Sequence, residues 1–471
     1  MTGFSMSQAA ACLDSAGHLV GSPHIIGTPA LDTIHSACID SRLAVTGSLF
    51  VALPGERVDG HAFVDDAVTR GAVAAIVHSD QLESVSEAVY GSVLLLPVDD
   101  TLAALQALAT WWRAQFPELL RIGITGSNGK TTTKDLVASI LSQTAPTISS
   151  RGNYNSDIGM PVELLRIREK HRFGVFEAGM NRPGEIGELA QLLEPNVGVI
   201  TNVGSAHVGM VGSRRRIAEE KKAIFSCFDG SQTAVVPASG EFSRFLAEGV
   251  NGKVVKHSAA AAGAIRIGET TVEGTTIGLK EGAIHLNLPG SHMVHNAIAA
   301  ITVARLLEVP FESIRAGIEA AKPAFGRSEI VRGRVTVIQD CYNANPESMG
   351  SALAMLRDIS GDSRAVAILG AMKELGQEST ALHRTLYRQA SDAGLDEVWF
   401  VGAEFQEADL DDRAGIRWFA DDDWEGLERA VRGVEDGATV LVKGSRLLEL
   451  ERLTPVLQGA GPGQVGSSSH G

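Results

Sequence analysis

The segment from Gly123 to Thr133, with the sequence GITGSNGKTTT, constrains the fold of this chain more than any other segment. It follows an apolar run, Ile122 to Thr125, that is bounded like a buried strand, and it leads into a helical pattern from Thr131 to Gln143. A strand, a glycine-rich loop and a helix in this order are typical of α/β proteins with a parallel sheet, in which such a loop binds phosphate.

The residue types in this loop match what a nucleotide phosphate needs. Glycines let backbone N–H groups approach the oxygens, and the start of the following helix adds positive potential. Lys130 can reach the β and γ oxygens, and the Thr131 hydroxyl can bind Mg²⁺. The spacing is a variant, because a strict GxxxxGK(S/T) sequence needs glycine where Ile124 stands. The residues expected to bind the nucleotide are Gly126, Ser127, Asn128, Gly129, Lys130, Thr131 and Thr132.

Two further polar residues follow apolar runs and are expected at the same edge of the sheet. The run Phe173 to Phe176 leads into Glu177, and the run Val197 to Thr201 leads through a loop to His207. Because parallel strands end at one edge, Glu177 is a candidate Mg²⁺ ligand beside the phosphate loop. A surface carboxylate at a strand end is the alternative for Glu177, and a lone loop histidine such as His207 is more often structural than a metal ligand. The helix carrying Lys221 likewise has the pattern of a solvated charged face.

The length of the chain and its alternating strand and helix patterns predict three domains of the α/β class. At roughly 100 to 200 residues per domain, 471 residues correspond to about three units. Strand and helix patterns alternate before the phosphate loop, after it, and again beyond Phe325, whereas the polar stretch from Lys253 to Asn287 is predicted to be antiparallel. The expected boundaries are 1–116, 117–325 and 326–457, followed by a flexible glycine- and serine-rich tail at 458–471.

The charge and composition of the chain argue against several classes of protein. The net charge of −15 argues against a general nucleic-acid binder, because such proteins present basic surfaces. No run approaches the roughly 18 consecutive apolar residues of a membrane span. The N-terminus lacks the basic segment followed by an apolar run that is typical of a signal peptide, so we expect a cytoplasmic protein. The four cysteines form no CxxC pair and are expected to be reduced thiols. A monomer is expected.

Several segments together resemble the Mur ligase family, the ATP-dependent enzymes that form amide bonds in peptidoglycan precursors. Besides the phosphate loop, the resemblance is carried by GNYNSDIGMP at 152–161, EAGM at 177–180 and NVGSAH at 202–207. It extends to DCYNANPESM at 340–349, to KGSR at 443–446 and, near the N-terminus, to DSR at 40–42. The resemblance therefore covers essentially the whole chain.

The resemblance implies a small N-terminal α/β domain that binds UDP, a central P-loop ATPase domain with a parallel sheet and a C-terminal Rossmann-like domain. It implies that ATP converts the terminal carboxylate of UDP-N-acetylmuramoyl-tripeptide into an acyl phosphate, which the amine of D-alanyl-D-alanine attacks. Two Mg²⁺ ions are implied as cofactors.

The resemblance also implies roles for individual residues. Lys130, Glu177, His207 and Lys221 are the implied catalytic group. Thr131 and Glu177 would bind one Mg²⁺ ion and His207 a second, with Lys221 carbamylated as a further metal ligand. The implied adenine, phosphate and ribose contacts are Asn296, Arg327 and Asp340. Substrate contacts are expected from Ser41, Arg42, Asn153, Asn155, Asp157, Tyr342, Asn343, Asn345, Lys443, Ser445 and Arg446.

This chain departs from the usual family pattern at three positions. Met293 and Ser156 stand where relatives usually have asparagine, and Ala371 stands where they have aspartate. None of the three belongs to the implied catalytic group.

Three other functions remain as alternatives. Another amino-acid-adding step of the same family, or a folylpolyglutamate-type ligase, would use the same ATP site. The step that attaches diaminopimelate usually carries Asn-Pro-Arg near the start of the C-terminal domain, whereas Asn345-Pro346-Glu347 stands here. A P-loop NTPase acting as a switch is the alternative from another class, but it leaves the segments 40–42 and 443–446 unexplained.

Overall fold

The computed structural model describes residues 3–22, 24–27, 32–55, 58–85, 92–407 and 415–460. Over these residues strands and helices alternate along most of the chain, and three sheets consist mainly of parallel strands. This confirms the predicted α/β class. No helix among the described residues is both long enough and apolar enough to cross a lipid bilayer.

The central sheet carries the glycine-rich loop at the end of a middle strand. Leu120–Thr125 runs parallel to Val197–Ile200 on one side and to Phe173–Glu177 on the other. Ile122 and Ile124 are fully buried, as expected for a strand whose two faces are covered. The six parallel strands lie in the order Lys253–His257, Thr233–Pro237, Val197–Ile200, Leu120–Thr125, Phe173–Glu177 and Thr147–Ser149.

The prediction of an antiparallel region from Lys253 to Asn287 is partly wrong. Lys253–His257 joins the central sheet as a parallel edge strand beside Thr233–Pro237. Its polar character reflects its half-exposed position at the edge, a place where natural sheets carry charged side chains. Only the later part forms an antiparallel sheet, with the strands Ala264–Thr271, Gly274–Leu279 and Ala283–Leu286.

The N-terminal sheet has five strands, of which one edge strand is antiparallel. Its strands lie in the order His24–Gly27, Ser92–Val98, Ala72–His78, Ser48–Val51 and Ser36–Cys38. The pairing of His24–Gly27 with Ser92–Val98 is the antiparallel one. A separate antiparallel pair is formed by Phe4–Ser5 and Thr33–Ile34.

The C-terminal sheet repeats the doubly wound pattern with six strands. They lie in the order Glu329–Val331, Thr336–Asp340, Thr439–Lys443, Ala365–Gly370, Glu397–Val401 and Ile416–Phe419. All neighbouring pairs are parallel except the first. Asp340 and Lys443 face each other in register at the carboxyl ends of two neighbouring strands, which is where α/β sheets place their ligand sites.

Helices connect these strands. Before the central sheet they are Met6–Ser15, Val64–Thr69 and Thr101–Ala114. Around the central sheet they are Lys130–Ser142, Gly159–Leu164, Glu185–Leu193, Val208–Val211, Arg214–Lys222, Ser243–Ala247, Ala259–Ala262, Ser291–Leu306 and Phe311–Glu319. Around the C-terminal sheet they are Pro346–Ser360, Ser379–Ser391, Ala403–Glu407, Trp424–Arg432 and Leu453–Leu457.

The helix Thr101–Ala114 connects the N-terminal and central regions, because it packs against the strand Ala72–His78 and against the helices Gly159–Leu164 and Glu185–Leu193. Trp112 on this helix is fully buried, its ring centroid lies 5.0 Å from that of Phe4, and its Nε1 donates to the carbonyl of Ile167 over 3.1 Å. A buried aromatic contact with a satisfied N–H makes this a stable junction.

The end of the chain is only partly described. Gln458, the first residue of the predicted flexible tail, donates through Nε2 to the carbonyls of Val335 and Val331 over 3.0 and 3.3 Å. This residue therefore packs against the C-terminal sheet. Residues 461–471, the greater part of that predicted tail, lie outside the described residues.

Candidate active site

The phosphate loop, residues Gly126 to Gly129, has a conformation that its glycines allow. Gly129 has a φ of +76°, and a Cβ atom there would lie 2.1 Å from Asn296 Oδ1. At Gly126 a Cβ atom would lie 1.8 Å from Thr201 Oγ1. Glycine is required at both positions, because any other residue would clash with a neighbouring loop or helix.

The neighbouring loop holds the phosphate loop in place. Asn202 accepts from the backbone N–H groups of Ser127 and Asn128, over 3.1 Å through its carbonyl and 2.9 Å through Oδ1. The Thr201 hydroxyl donates to the carbonyl of Asn128 over 2.6 Å. Sequence reasoning missed Thr201 and Asn202, although both stand directly after a predicted strand at the functional edge of the sheet.

Lys130 folds back over the loop. Its Nζ donates to the carbonyls of Gly126 and Ser127 over 2.9 and 3.4 Å. Burial lowers the pKa of Lys130, while the nearby Glu177 carboxylate opposes this and Arg327 adds to it. Among the residues that the structure describes, no carboxylate lies within ion-pair distance of Lys130, so its ammonium is available to anionic oxygens.

Glu177, at the end of a strand, and Thr131, in the first turn of the helix Lys130–Ser142, form a pair of oxygen ligands. The Thr131 hydroxyl donates to Glu177 Oε2 over 2.6 Å, and Asn155 Nδ2 donates to Glu177 Oε1 over 2.7 Å. Both Glu177 and Thr131 are buried. The structure thus brings together the two residues that the sequence predicts as ligands of one Mg²⁺ ion, and Asn155 orients the carboxylate.

Lys221 is almost fully enclosed, with 1% of its surface exposed. Burial lowers its pKa well below the usual range for lysine, and the nearby Lys130 ammonium adds to this effect. Over the described part of the chain its Nζ makes no hydrogen bond and no ion pair within 4 Å, and the Glu220 carboxylate opposes the lowering of its pKa. The expectation of a solvated charged face is therefore wrong for Lys221, which lies on the buried side of its helix.

The donors present fit Mg²⁺ better than a metal that needs a complete protein cage. No group of three or more His, Cys, Asp or Glu residues suited to a metal ion occurs among the described residues. Mg²⁺ is usually held by one or two carboxylates together with substrate phosphates and water. The Glu177 carboxylate with the Thr131 hydroxyl provides such a partial set beside a phosphate loop.

Three family profiles match this chain in sequence. The profile described as Mur ligase middle domain matches residues 124–304. The profile described as Mur ligase, glutamate ligase domain, matches residues 326–446, and the one described as Mur ligase family, catalytic domain, matches residues 33–113. The protein named UDP-N-acetylmuramoyl-tripeptide--D-alanyl-D-alanine ligase from Treponema pallidum (strain Nichols) is 40% identical over 427 residues, 89% of this chain and 93% of the relative. This chain belongs to the Mur ligase family.

Solved structures agree with this assignment. The crystal structure of MurF from Acinetobacter baumannii superposes with a TM-score of 0.81 at 31% identity, covering 96% of this Mur ligase and 98% of that chain. MurF ligase from Thermotoga maritima, solved in complex with ADP, has a TM-score of 0.74 at 26% identity, covering 90% and 97% of the two chains. The relative of the same name from Escherichia coli (strain K12) is 33% identical over 440 residues, 90% of this chain and 94% of the relative.

Two of the predicted nucleotide contacts beyond the phosphate loop, Asn296 and Arg327, lie near that loop in this Mur ligase. Thr132, Met293 and Arg327 border a single small cavity. The Arg327 guanidinium lies 4.1 Å from the centroid of the Tyr342 ring, a distance typical of a cation–π contact. Asn296 Nδ2 lies 3.8 Å from the sulfur of Met293, the residue that replaces the usual asparagine.

Asp340 and Lys443 form a buried ion pair at the end of the C-terminal sheet. Lys443 Nζ lies 2.8 Å from Asp340 Oδ2 and donates to the carbonyl of Asn343 over 3.0 Å, and Lys443 is 1% exposed. Asp340 Oδ1 accepts from the backbone N–H of Ser328 over 3.1 Å. Lys443 was predicted to contact substrate. In the structure its Nζ lies against the Asp340 carboxylate, and the substrate contact stays a prediction.

Three other predicted substrate residues of the C-terminal sheet have partners within that sheet. Asn343 Oδ1 accepts from the next backbone N–H over 2.7 Å. The Ser445 hydroxyl accepts from the backbone N–H of Lys373 over 2.9 Å. Arg446 pairs with Glu451 and lies 5.8 Å from the Phe325 ring centroid.

The predicted substrate residues nearer the N-terminus occupy two places. Arg42 is exposed and pairs with Asp40 over 2.6 Å, while Ser41 beside it is buried. Asp157 pairs with Arg182 over 3.1 Å, and Asn153 is exposed on the loop that leads to Asn155. The structure thus brings Asn155 directly to Glu177, whereas Ser41 and Arg42 lie in a short 3-10 helix after the edge strand Ser36–Cys38 of the N-terminal sheet.

Proposed function

We propose that this Mur ligase joins D-alanyl-D-alanine to UDP-N-acetylmuramoyl-tripeptide at the expense of ATP. The observation that carries the proposal is the grouping of Lys130, Thr131 and Glu177 at the carboxyl edge of the central sheet. It is supported by relatives of that name that match about nine-tenths of both chains.

The proposed chemistry has two steps. In the first, an oxygen of the terminal carboxylate of the tripeptide attacks the γ-phosphorus of ATP, and ADP leaves with the electrons of the broken P–O bond. In the second, the amine of the dipeptide attacks the acyl carbon, and the tetrahedral intermediate expels inorganic phosphate while the nitrogen loses a proton. The first step is needed because a carboxylate is a poor electrophile, whereas an acyl phosphate has a good leaving group.

The residues of this chain supply position and charge rather than a nucleophile. Lys130 and the backbone N–H groups of the phosphate loop would hold the phosphates, and Arg327 adds a second cation at the boundary with the C-terminal sheet. Preorganised cations of this kind stabilise charge that develops in a phosphoryl-transfer transition state. Closure of the C-terminal domain would bring the amine into line with the acyl carbon.

Thr131 and Glu177 would hold one Mg²⁺ ion and His207 a second. When bound, Mg²⁺ would screen the repulsion between the substrate carboxylate and the triphosphate. We propose that Lys221 is carbamylated, since burial and the nearby Lys130 favour its neutral amine, which can form an N–C bond to CO2 with release of one proton. The product carries a negative charge close to Lys130, which the unmodified lysine cannot provide.

The same proposal assigns a task to each region of the chain. Residues 1–116 would bind the UDP-sugar, 117–325 ATP, and 326–457 the dipeptide. We propose that the enzyme works as a monomer in the cytoplasm, where both nucleotide substrates are made. Light scattering after size exclusion, at concentrations spanning the cellular range, tests the monomer.

The experiment that tests the function is phosphate release from ATP and Mg²⁺ with UDP-N-acetylmuramoyl-tripeptide, measured with and without D-alanyl-D-alanine. Release that requires both substrates, with a pentapeptide product of the correct mass, is expected. Running it with tripeptides that end in lysine or in diaminopimelate identifies the natural third residue. Release stimulated by a single amino acid instead would point to another ligase step, and release that needs neither substrate would contradict the proposal.

A further inference from the structure

A loop of the C-terminal sheet reaches the histidine of the candidate active site. The loop runs from Ala371 to Gly376 after the strand Ala365–Gly370, and its Glu374 Oε2 lies 2.9 Å from His207 Nδ1. The two atoms are close enough for a hydrogen bond, but the ring N–H is not aligned with the carboxylate oxygen. Nδ1 is buried and has no hydrogen-bond partner among the described residues.

Both residues of this contact have an unusual backbone conformation. His207 has a φ of +64° and Glu374 a φ of +65°, values that residues other than glycine rarely adopt. Two such residues in direct contact are notable, because strained backbone persists where the surroundings impose it and is concentrated at functional sites.

The two loops also touch through their backbones. A Cβ atom on Gly209 would lie 2.5 Å from the backbone nitrogen of Gly376 and 2.6 Å from the carbonyl oxygen of Glu374. A Cβ atom on Gly376 would lie 2.8 Å from the Cα of Gly209. Glycines on both sides therefore let the loop from Ala371 to Gly376 approach the turn that begins at His207.

The C-terminal sheet holds this loop firmly. The buried His383 accepts from the backbone N–H of Met372 over 3.0 Å, and Ser445 accepts from that of Lys373 over 2.9 Å. The Lys373 ammonium pairs with Glu404. The side chains that hold this loop therefore belong to elements around the C-terminal sheet, whereas His207 follows a strand of the central sheet.

We propose that Glu374 is a positioning residue that orients the His207 ring when the C-terminal domain docks on the central domain. A carboxylate at Nδ1 keeps the proton on that nitrogen and leaves the lone pair of Nε2 for a metal ligand bond, as is common behind metal-binding histidines. The C-terminal domain is also the one proposed to carry the acceptor amine. When it docks, Glu374 would complete the surroundings of the metal site. The inference rests on the metal role proposed for His207.

The test uses Mn²⁺ as a spectroscopic substitute for Mg²⁺. Electron paramagnetic resonance measures Mn²⁺ bound to the full chain in the presence of a non-hydrolysable ATP analogue, for the wild type, Glu374→Gln and the control Glu378→Gln. Glu378 is an exposed residue of the next turn and loses the same charge on substitution. Steady-state kinetics on the three proteins give kcat and the KM for ATP.

For Glu374→Gln we expect the weaker Mn²⁺ site to lose about tenfold in affinity and kcat to fall about 10- to 100-fold, the range typical of partners behind metal ligands. The KM for ATP is expected to stay within about twofold, because the phosphate loop is untouched. The control is expected to match the wild type in every measurement.

Three results would overturn the inference. Unchanged Mn²⁺ binding and unchanged kcat would make the contact incidental. A lower kcat with unchanged Mn²⁺ binding would make Glu374 a packing residue of the domain interface. A wild type that turns over normally but binds a single Mn²⁺ ion would refute the metal role of His207 while leaving the ligase activity standing, so the two failures can be told apart.

Discussion

Asn345 at the start of a C-terminal helix and Asn128 in the phosphate loop form a reciprocal amide pair. Asn345 Nδ2 donates to Asn128 Oδ1 over 2.7 Å, and Asn128 Nδ2 donates to Asn345 Oδ1 over 3.3 Å. Asn345 also caps the helix Pro346–Ser360, because its Oδ1 accepts from the backbone N–H of Ser348 over 2.9 Å. One side chain thus joins the position of a C-terminal helix to the loop that would bind ATP.

The next residues strengthen this link. Glu347 accepts from the backbone N–H of Ser205 over 2.9 Å and from its hydroxyl over 2.8 Å. Ser205 belongs to the loop that also carries Asn202 and His207. The start of the helix Pro346–Ser360 therefore contacts both loops of the candidate active site.

Replacing Asn345 by aspartate should raise the KM for ATP about tenfold. Aspartate keeps the helix cap but cannot donate to Asn128, and its charge would repel the nucleotide phosphates. Asn345→Ser is the matched variant, since serine also caps the helix but adds no charge. A lost neutral hydrogen bond is worth about 0.5–1.5 kcal/mol, so we expect Asn345→Ser to raise the KM for ATP by roughly two- to tenfold at most. Equal KM values for both variants and the wild type would show that the amide pair plays no part in nucleotide binding.

Lys130→Ala should lower kcat by about 100-fold or more, the scale seen when one preorganised stabilising group is removed. Over the described residues its ammonium donates to two backbone carbonyls and pairs with no carboxylate, so the melting temperature should change little. Phosphate release and thermal unfolding measure the two effects, with Lys170→Ala on the surface as the control. Near wild-type turnover in Lys130→Ala would contradict the role of this lysine.

The phosphate-loop region could be predicted from sequence because its geometry is determined locally. Gly126 and Gly129 are needed for the backbone conformation, and the parallel topology alone places Glu177 and His207 at the same edge. The sequence also contains a signal for the helix cap at Asn345, because an asparagine followed by a proline often marks the start of a helix.

Other parts of the site could not be predicted because they depend on packing between distant segments. The contacts of Asn128 with Asn345 and of His207 with Glu374 join residues far apart in sequence, and no local pattern specifies either partner. Lys221 is an intermediate case. It lies four residues after the buried Ile217, so helical periodicity placed it on the inner face although its charge suggested the outer one.

Lys221→Ala should also lower kcat by about 100-fold or more, and short carboxylic acids such as acetate or formate should restore part of the rate by filling the space of the carbamate. Lys222→Ala is the matched control. The Lys222 ammonium donates to the carbonyls of Phe245 and Glu248, so Lys222→Ala should stay active and its kcat should not change when acetate is added. Full activity of Lys221→Ala without any added acid would reject the carbamate.

Lys443→Met should destabilise the C-terminal domain by about 3–5 kcal/mol, because it leaves the Asp340 carboxylate at a mostly enclosed position without its counter-ion. The double variant Asp340→Asn with Lys443→Met removes the orphaned charge as well, and we expect it to be more stable than Lys443→Met alone. Urea unfolding followed by tryptophan fluorescence compares the wild type and both variants. A double variant no more stable than Lys443→Met would show that lost packing around the lysine stem, and not the unpaired aspartate, causes the destabilisation.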